Sequence, residues 1–466
     1  LGDDADAEKK NADTVLAIQT RLAKASLTPV ERRNPNNNYN KIKLTDAQAA
    51  TPNFDWTAYL TARNSPSVTE LNMVPPKFFA EFNTMLTDVP VDQWKTYLRW
   101  MTLNATAQYL PKRFADERFD FFSRYLNGQK EQQPRWKICV QATDQALGEA
   151  LGMQFVKTKF TPEQKAKMNE LIDNLIVSLR GRINSLEWMS PETKQQAINK
   201  LTAFKRKIGY PDQLRGYKGL VVTNKSFADN VRAVQRFQIA RNFEDLGKPR
   251  DKSRWGFSPP TVNAGYNSTN NDITFPAGIL QPPFFNSAAD DAINYGAIGG
   301  VIGHEISHGF DDSGSQFNGE GNLLSWWTQD DRKKFDERAA CVIKQFDSYE
   351  VQPGVFMNGK LTLGENIGDF AGLTISYYAY LKSLEGKPRP ANIDGFTPEQ
   401  RFFLGWAQVW AAKSTPEAER SQVKGDPHAL AKWRVNGPMS NMPEFARAWG
   451  CKEGDRMVRK DACLIW

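Results

Sequence analysis

Two of the chain's three histidines stand four residues apart, in the stretch 301–312 that reads VIGHEISHGFDD. Positions four apart lie on one face of an α-helix, so the imidazoles of His304 and His308 can point at a single metal ion. This constrains the fold more than any other feature: unless the pattern is a chance arrangement in a glycine-rich stretch, the segment is helical and its two-histidine face turns toward a space that a cation can fill. Glu305 is rotated by about 100° from His304 and can reach a water on such a cation without ligating it. The five-residue pattern alone is only moderately specific, so the rest of the chain has to supply the remaining parts.

A catalytic zinc ion usually takes three protein ligands and keeps one position for water. The third ligand is therefore His428, the remaining histidine, or a carboxylate. The segment LTLGENIGDFAGL at 361–373 offers Glu365 and Asp369, again four apart. Glu365 can ligate while Asp369 stands behind an imidazole, accepting its N–H and fixing its tautomer. Two exposed acids at that spacing would repel each other, and a nearby cation removes the objection. A three-histidine pattern with Gly three and His six residues after His308 is excluded, because Asp311 and Gly314 stand there. His428 follows Asp426 and precedes Arg434, a trio that could donate hydrogen bonds to a developing oxyanion and to a substrate carbonyl.

Composition narrows the partners. The formal charge of +7 arises from 60 basic against 53 acidic residues with no dense basic tract, so no nucleic acid is expected. No run of eighteen apolar residues occurs, so the sequence predicts no transmembrane segment. The opening LGDDADAEKK lacks a Met, a basic n-region and an apolar h-region; the expectation is a chain that does not start at its biological beginning. Cys139, Cys341, Cys451 and Cys463 form no C-x-x-C pair, which favours structural disulfides or buried thiols and an exported protein.

Residues 1 to about 215 read as mostly helical. Thr161-Pro162 and Ser190-Pro191 open two helices with a cap residue followed by Pro in the first turn. RNPNNNYNKIKL at 33–44 and ARNSPSVTEL read as loops. KIGYPDQLRGYKGL at 207–220 breaks the helical pattern, and the main boundary is expected there, giving domains 1–215 and 216–466. TVNAGYNSTNNDITFPAGI then reads as a β-hairpin turning around Asn270-Asn271-Asp272. A helix carrying DDAINYGAIGGVIGHEISHGF follows.

The ordered motifs VNAGYN, FPAGILQPPFF, GHEISHGFDD, LGENIGDFAGL and VNGPMSNMPEFARAWGC resemble those of the neprilysin-like zinc endopeptidases, over at least 186–466. The resemblance implies a mainly α fold with a small β-sheet: a two-lobed gluzincin metallopeptidase with a thermolysin-like catalytic lobe at 216–466 and a helical lobe at 1–215 covering the substrate chamber. It implies one Zn2+ per chain, held by His304, His308 and Glu365. Glu305 would be the general base, Asp311 and Asp369 would orient the histidines, His428 oriented by Asp426 would stabilise the oxyanion, and Arg434 would hold a substrate carbonyl. Asn263 and Ala264 match the strand that pairs with an extended peptide. Ile279, Phe284, Val301 and Trp410 resemble the apolar pocket for the residue after the scissile bond.

The implied function is hydrolysis of short peptides before a hydrophobic residue, in an extracytoplasmic setting: secreted, periplasmic or as an ectodomain. Two positions depart from the family's pattern. Gly300 stands where a Met is found, which should enlarge or reshape the pocket, and Gly265 stands where Phe or Tyr is usual. Family members usually carry a longer N-terminal stretch, and a missing N-terminal segment of the same protein is an expected partner. By the same resemblance Cys341 bonds Cys463, while Cys139 and Cys451 are unpaired here. The competing expectation is a catalytically weak or inactive peptide-binding member lacking that segment.

Overall fold

The computed structural model describes residues 4–466, which are mainly α-helical with small sheets of two or three strands. The chain forms two compact units, each assembled from two separate stretches. The first comprises Leu1–Arg135 and Tyr217–Asp251, the second Trp136–Gly216 and Lys252–Trp466. The expected single boundary at 215/216 is thereby corrected, since the chain crosses between units three times.

Helix α1 (Pro162–Ser185) gives the physical reason. It begins in a reciprocal cap between Thr161 and Gln164 and buries Met168, Leu171, Ile172, Leu175, Leu179 and Ile183. Each such burial is worth about 1.5–3 kcal/mol, which fixes the helix to whatever it covers. The partner is the half that carries His304: Asn174 Nδ2 donates to the Tyr295 hydroxyl at 2.7 Å and the Ser178 hydroxyl to the Ile375 carbonyl at 2.9 Å. An apolar stripe in a sequence shows that a helix packs, but not against what.

In the first unit, helix Ala5–Ala25 starts at Asp4, whose carboxylate accepts from the Ala7 amide. Its Ile18 joins Met85 and Val89 in a small core, and Arg21 pairs with Glu81 at 2.6 Å. The Ser65 hydroxyl donates to the Phe243 carbonyl at 3.3 Å, tying helix Phe227–Glu244 into this unit. Short strands occur where the two stretches read as loops: Lys41–Lys43 lies inside the first and pairs antiparallel with Glu70–Asn72, which begins at the end of the second.

The second unit holds the site. Helix α2 (Pro191–Thr202) starts at Ser190 as its sequence predicts, the hydroxyl accepting from the Thr193 amide. Strand β1 (Lys205–Gly209) runs parallel to β3 (Asp272–Pro276), and β2 (Gly265–Asn267) pairs antiparallel with β3 in the expected hairpin, giving the order β1-β3-β2. β1 departs from the sequence reading: only Ile208 and Gly209 are buried, so the KRKIG stretch shows no apolar alternation.

Helix α3 (Gly300–Ser307) continues Asp291–Asn294 through one π-helical turn, Tyr295–Gly299, and is buried along its whole length. Helix α4 (Gln329–Asp347) carries Cys341, which bonds Cys463 as the resemblance implies, while Cys139 and Cys451 remain free thiols. Helix α5 (Leu363–Ser383) crosses α3 at a pair of glycines. A Cβ on Gly303 would lie 2.6 Å from the Gly372 carbonyl oxygen, and one on Gly372 would lie 2.3 Å from the His304 amide nitrogen. Backbone thus touches backbone, and this close approach brings the start of α5 within reach of both imidazoles. Helices α6 (Pro398–Val409) and α7 (Ala431–Met439) complete the surroundings of the site. Among the described residues no helix is long and apolar enough to cross a membrane.

Candidate metal centre

Helical spacing puts His304 and His308 on the same side of α3, with their Nε2 atoms 3.0 Å apart. Each ring is held from behind. His304 Nδ1 lies 2.8 Å from Asp369 Oδ1, and His308 Nδ1 lies 2.8 Å from Asp311 Oδ2. With the Nδ1 protons committed to carboxylates, both Nε2 lone pairs face one space. Glu365, in the first turn of α5, faces it too: Oε2 is 3.2 Å from His304 Nε2 and Oε1 is 3.7 Å from His308 Nε2. Glu365 Oε2 is buried and makes no well-aligned hydrogen bond, its nearest polar neighbours being the ring nitrogens of His304 and His428, each 3.2 Å away.

That oxygen tests whether a metal fits. A buried carboxylate oxygen without a well-aligned donor costs on the order of 1–3 kcal/mol or more, and two Nε2 atoms 3.0 Å apart repel if both carry lone pairs or both carry protons. One cation among the three removes both penalties, and two nitrogens with one carboxylate oxygen are a donor set that zinc takes. His304, Glu305 and His308 also form a group whose candidate ligand atoms lie within 4.8 Å of one another. The residues present therefore fit a zinc ion held by His304, His308 and Glu365, with Glu305 beside it.

The electrostatics point the same way. Glu305, Asp311, Glu365 and Asp369 bring four buried or nearly buried carboxylates against one guanidinium, Arg434. Burial would push His308 down, but Glu365 and Asp311 raise it to about 10, and Asp369 likewise raises His304. Glu365 is held well below the usual carboxylate range, because His308 and His304 outweigh the opposing effect of burial. The site is a trap for positive charge.

Arg434, on α7, donates from Nε and Nη2 to Asp369 at 2.8 and 2.7 Å, and its guanidinium lies over the Trp410 ring, 3.9 Å from the centroid. Asp369 thus holds both His304 and Arg434, a link that the sequence reading misses. His428 stands at the edge of the site, 46% exposed in its side chain. Its Nδ1 lies 2.7 Å from Asp426 Oδ1 and its Nε2 3.2 Å from Glu365 Oε2. The structure thereby brings all three histidines to one carboxylate.

Comparison with known proteins decides the lineage. Sequence profiles of peptidase family M13 match residues 1–211 and 263–465. The chain belongs to peptidase family M13. It is 34% identical to an endothelin-converting enzyme homolog of Locusta migratoria over 98% of this chain and 66% of that protein, and 32% identical to endothelin-converting enzyme 1 of Homo sapiens over 100% and 62%. The chain thus spans about two thirds or less of the length of these curated relatives. The crystal structure of the Mycobacterium tuberculosis zinc metalloprotease Zmp1 with an inhibitor is 38% identical, with TM-score 0.95 over 100% of this chain and 71% of that one. PepO from Lactobacillus rhamnosis is 29% identical, with TM-score 0.88 over 98% and 71%.

The remaining residues of this M13 chain lie around the site as follows. Asn263 is exposed and turns its Oδ1 to the Ala264 amide at 2.9 Å; Ala264 is buried, immediately before edge strand β2. Ile279 and Val301 are buried in the main core, with Phe284 and Trp410 packed against it half-buried. The two departures from the family's pattern have structural explanations. A Cβ on Gly300 would lie 2.7 Å from the Trp406 ring, so the indole occupies the space where a side chain at this position would begin. A Cβ on Gly265 would lie 3.3 Å from the Phe257 ring, so an aromatic side chain covers the strand from another position. Neither exchange is visible from local spacing, because the ring comes from a residue distant in sequence or on another segment.

Proposed function

We propose that this chain is a zinc-dependent endopeptidase or oligopeptidase for short peptides, with His304, His308 and Glu365 holding one zinc ion. The observation that carries the reading is the buried Glu365 Oε2, without a well-aligned donor, facing two imidazole nitrogens whose rings are locked by Asp369 and Asp311. Zinc, when bound, supplies Lewis acidity to the scissile carbonyl and makes water a stronger acid. Glu305 takes the proton from the attacking water and passes it to the leaving amine nitrogen. His428, oriented by Asp426, donates a hydrogen bond to the tetrahedral oxyanion. With its Nε and Nη2 engaged by Asp369, Arg434 offers Nη1 to a substrate carbonyl.

The peptide would lie extended along Asn263 and Ala264 beside edge strand β2, backbone groups giving affinity. Ile279, Phe284, Val301 and Trp410 would receive a hydrophobic residue just after the cut. The Cys341–Cys463 disulfide supports an extracytoplasmic setting. The test is zinc content together with cleavage of quenched peptides that differ only in the residue after the scissile bond. The expected outcome is one zinc per chain and cleavage before Phe or Leu that a chelator abolishes and zinc restores. Bound zinc and peptide without cleavage would instead identify a peptide-binding member of the family.

A further inference from the structure

The loop after the second histidine is wrapped around an ammonium group. Lys200, near the end of α2, is 1% exposed, and its Nζ donates to the carbonyls of Gly309, Gly314 and Phe317 at 2.6, 2.7 and 2.7 Å. An ammonium has three hydrogens, so all of them are committed to this one loop. The Phe310 and Trp326 rings lie 5.6 and 5.9 Å from Nζ and help to cover it. Burying an ammonium is costly unless all its hydrogens are bonded, and an apolar side chain in its place would leave these three carbonyls without the donor they share. The loop must therefore gain something from a central donor.

What the loop contains supplies the reason. Asp311 places Oδ2 against His308 Nδ1, while its Oδ1 accepts from the amides of Ser313 and Gly314 at 2.8 and 2.6 Å. Gly314 is gripped at both ends, its N–H by Asp311 and its carbonyl by Lys200. The same lysine reaches the substrate side. Its own carbonyl accepts from Asn271 Nδ2 at 2.9 Å, and Asn271 Oδ1 accepts from the Tyr266 hydroxyl, on β2, at 3.0 Å.

We infer that Lys200 is a positioning residue for the metal centre: by gathering the carbonyls of Gly309, Gly314 and Phe317 it holds Asp311 against His308 and so sets the orientation of that ligand. It touches neither substrate nor reacting atoms. The inference rests on the metal-site reading above and adds a residue from a helix that contributes no ligand.

A double-mutant cycle on the zinc affinity of the full chain tests it, using Lys200→Met and Asp311→Asn with a chromophoric chelator as competitor. Partners that orient metal-bound histidines change affinity by about 10–100-fold. Each single variant should therefore bind zinc about tenfold or more weakly, and the double variant should bind much as Asp311→Asn alone does, because Lys200 acts through that carboxylate. A lysine that only stabilised the fold would lower the unfolding temperature and leave zinc affinity of the folded protein unchanged; that result, or full additivity, overturns the inference. Should Lys200→Met not accumulate folded, Lys200→Arg replaces it: weakened zinc binding that disappears in the Asp311→Asn background supports the inference, and unchanged affinity overturns it. A parent chain that binds no zinc overturns the metal-site reading and this inference together, whereas a binding parent with an unaffected Lys200 variant overturns this inference alone.

Discussion

On one flank of the candidate centre the side chains come from the crossing of α3 and α5 and are sealed from water; on the other they come from the segment after helix Pro416–Gly425 and stand half in solvent. Glu305 and Asp369 are 7% and 1% exposed, whereas the side chains of Asp426 and His428 are 45% and 46% exposed. The sealed flank can hold a divalent ion, because charges there act through a low effective dielectric and both imidazoles are fixed by carboxylates behind them. The open flank has neither condition, and suits a group that meets charge only while a reaction creates it. On the proposed reading metal binding falls to the first flank and oxyanion stabilisation to the second, although Glu365 touches both.

Glu305→Gln sharpens the comparison most. The amide keeps the shape of the carboxylate and cannot accept the water's proton, so turnover should fall on the order of 10³–10⁴-fold with zinc content unchanged. Steady-state cleavage and metal analysis of the same sample check it, and near-normal hydrolysis would remove Glu305 from its role. His428→Ala acts on the open flank. Turnover should fall about 10²-fold, the usual effect of deleting one oxyanion donor, while zinc affinity stays near that of the parent. Lost zinc in that variant would break the comparison, because it would make His428 a ligand.

The parts of the site that depend on one helix are legible in the order of residues alone. His304 with His308, and Glu365 with Asp369, are each four apart, and a helix turns that spacing into a shared face. The N-caps Thr161 and Ser190 and the β2–β3 hairpin are local in the same sense. The parts that join distant segments are not legible in that way. Nothing in the sequence near Asp369 announces Arg434, 65 residues on, and nothing near Lys200 announces the carbonyls of the loop 309–317, because backbone acceptors carry no residue signature. The surroundings of Gly300 and Gly265 are hidden for the same reason: the rings of Trp406 and Phe257, from other segments, stand where a side chain at these glycines would begin. The division into units fails likewise, since α1 shows its stripe and not its partner.

The contrast between sealed and open carboxylates also holds away from the proposed metal ligands, and there it predicts a dependence on pH. Asp331, on α4, is 1% exposed and accepts from the Ser190 amide at 3.1 and 3.2 Å, at the start of the helix that carries Lys200. Burial would raise its pKa, but hydrogen bonds from Ser190, Thr193 and Thr328 outweigh that effect and hold the carboxyl below the usual range. Between the folded and unfolded values the unfolded chain binds more protons, so stability rises with pH in that interval. The contribution is complete above the unfolded value, about 3.9, and is lost as the pH falls through the folded one. Asp331→Asn should therefore reduce the free energy of urea unfolding by about 1–3 kcal/mol at neutral pH, and by progressively less in acid. Metal-free protein is the sample, so that zinc release does not enter the difference. Asp426→Asn, on the open flank, should change the same quantity by less than about 0.5 kcal/mol at either pH. A constant penalty for Asp331→Asn down into the acid range would mean that its charge does not hold α2 to α4, and sealing would no longer separate the two kinds of carboxylate.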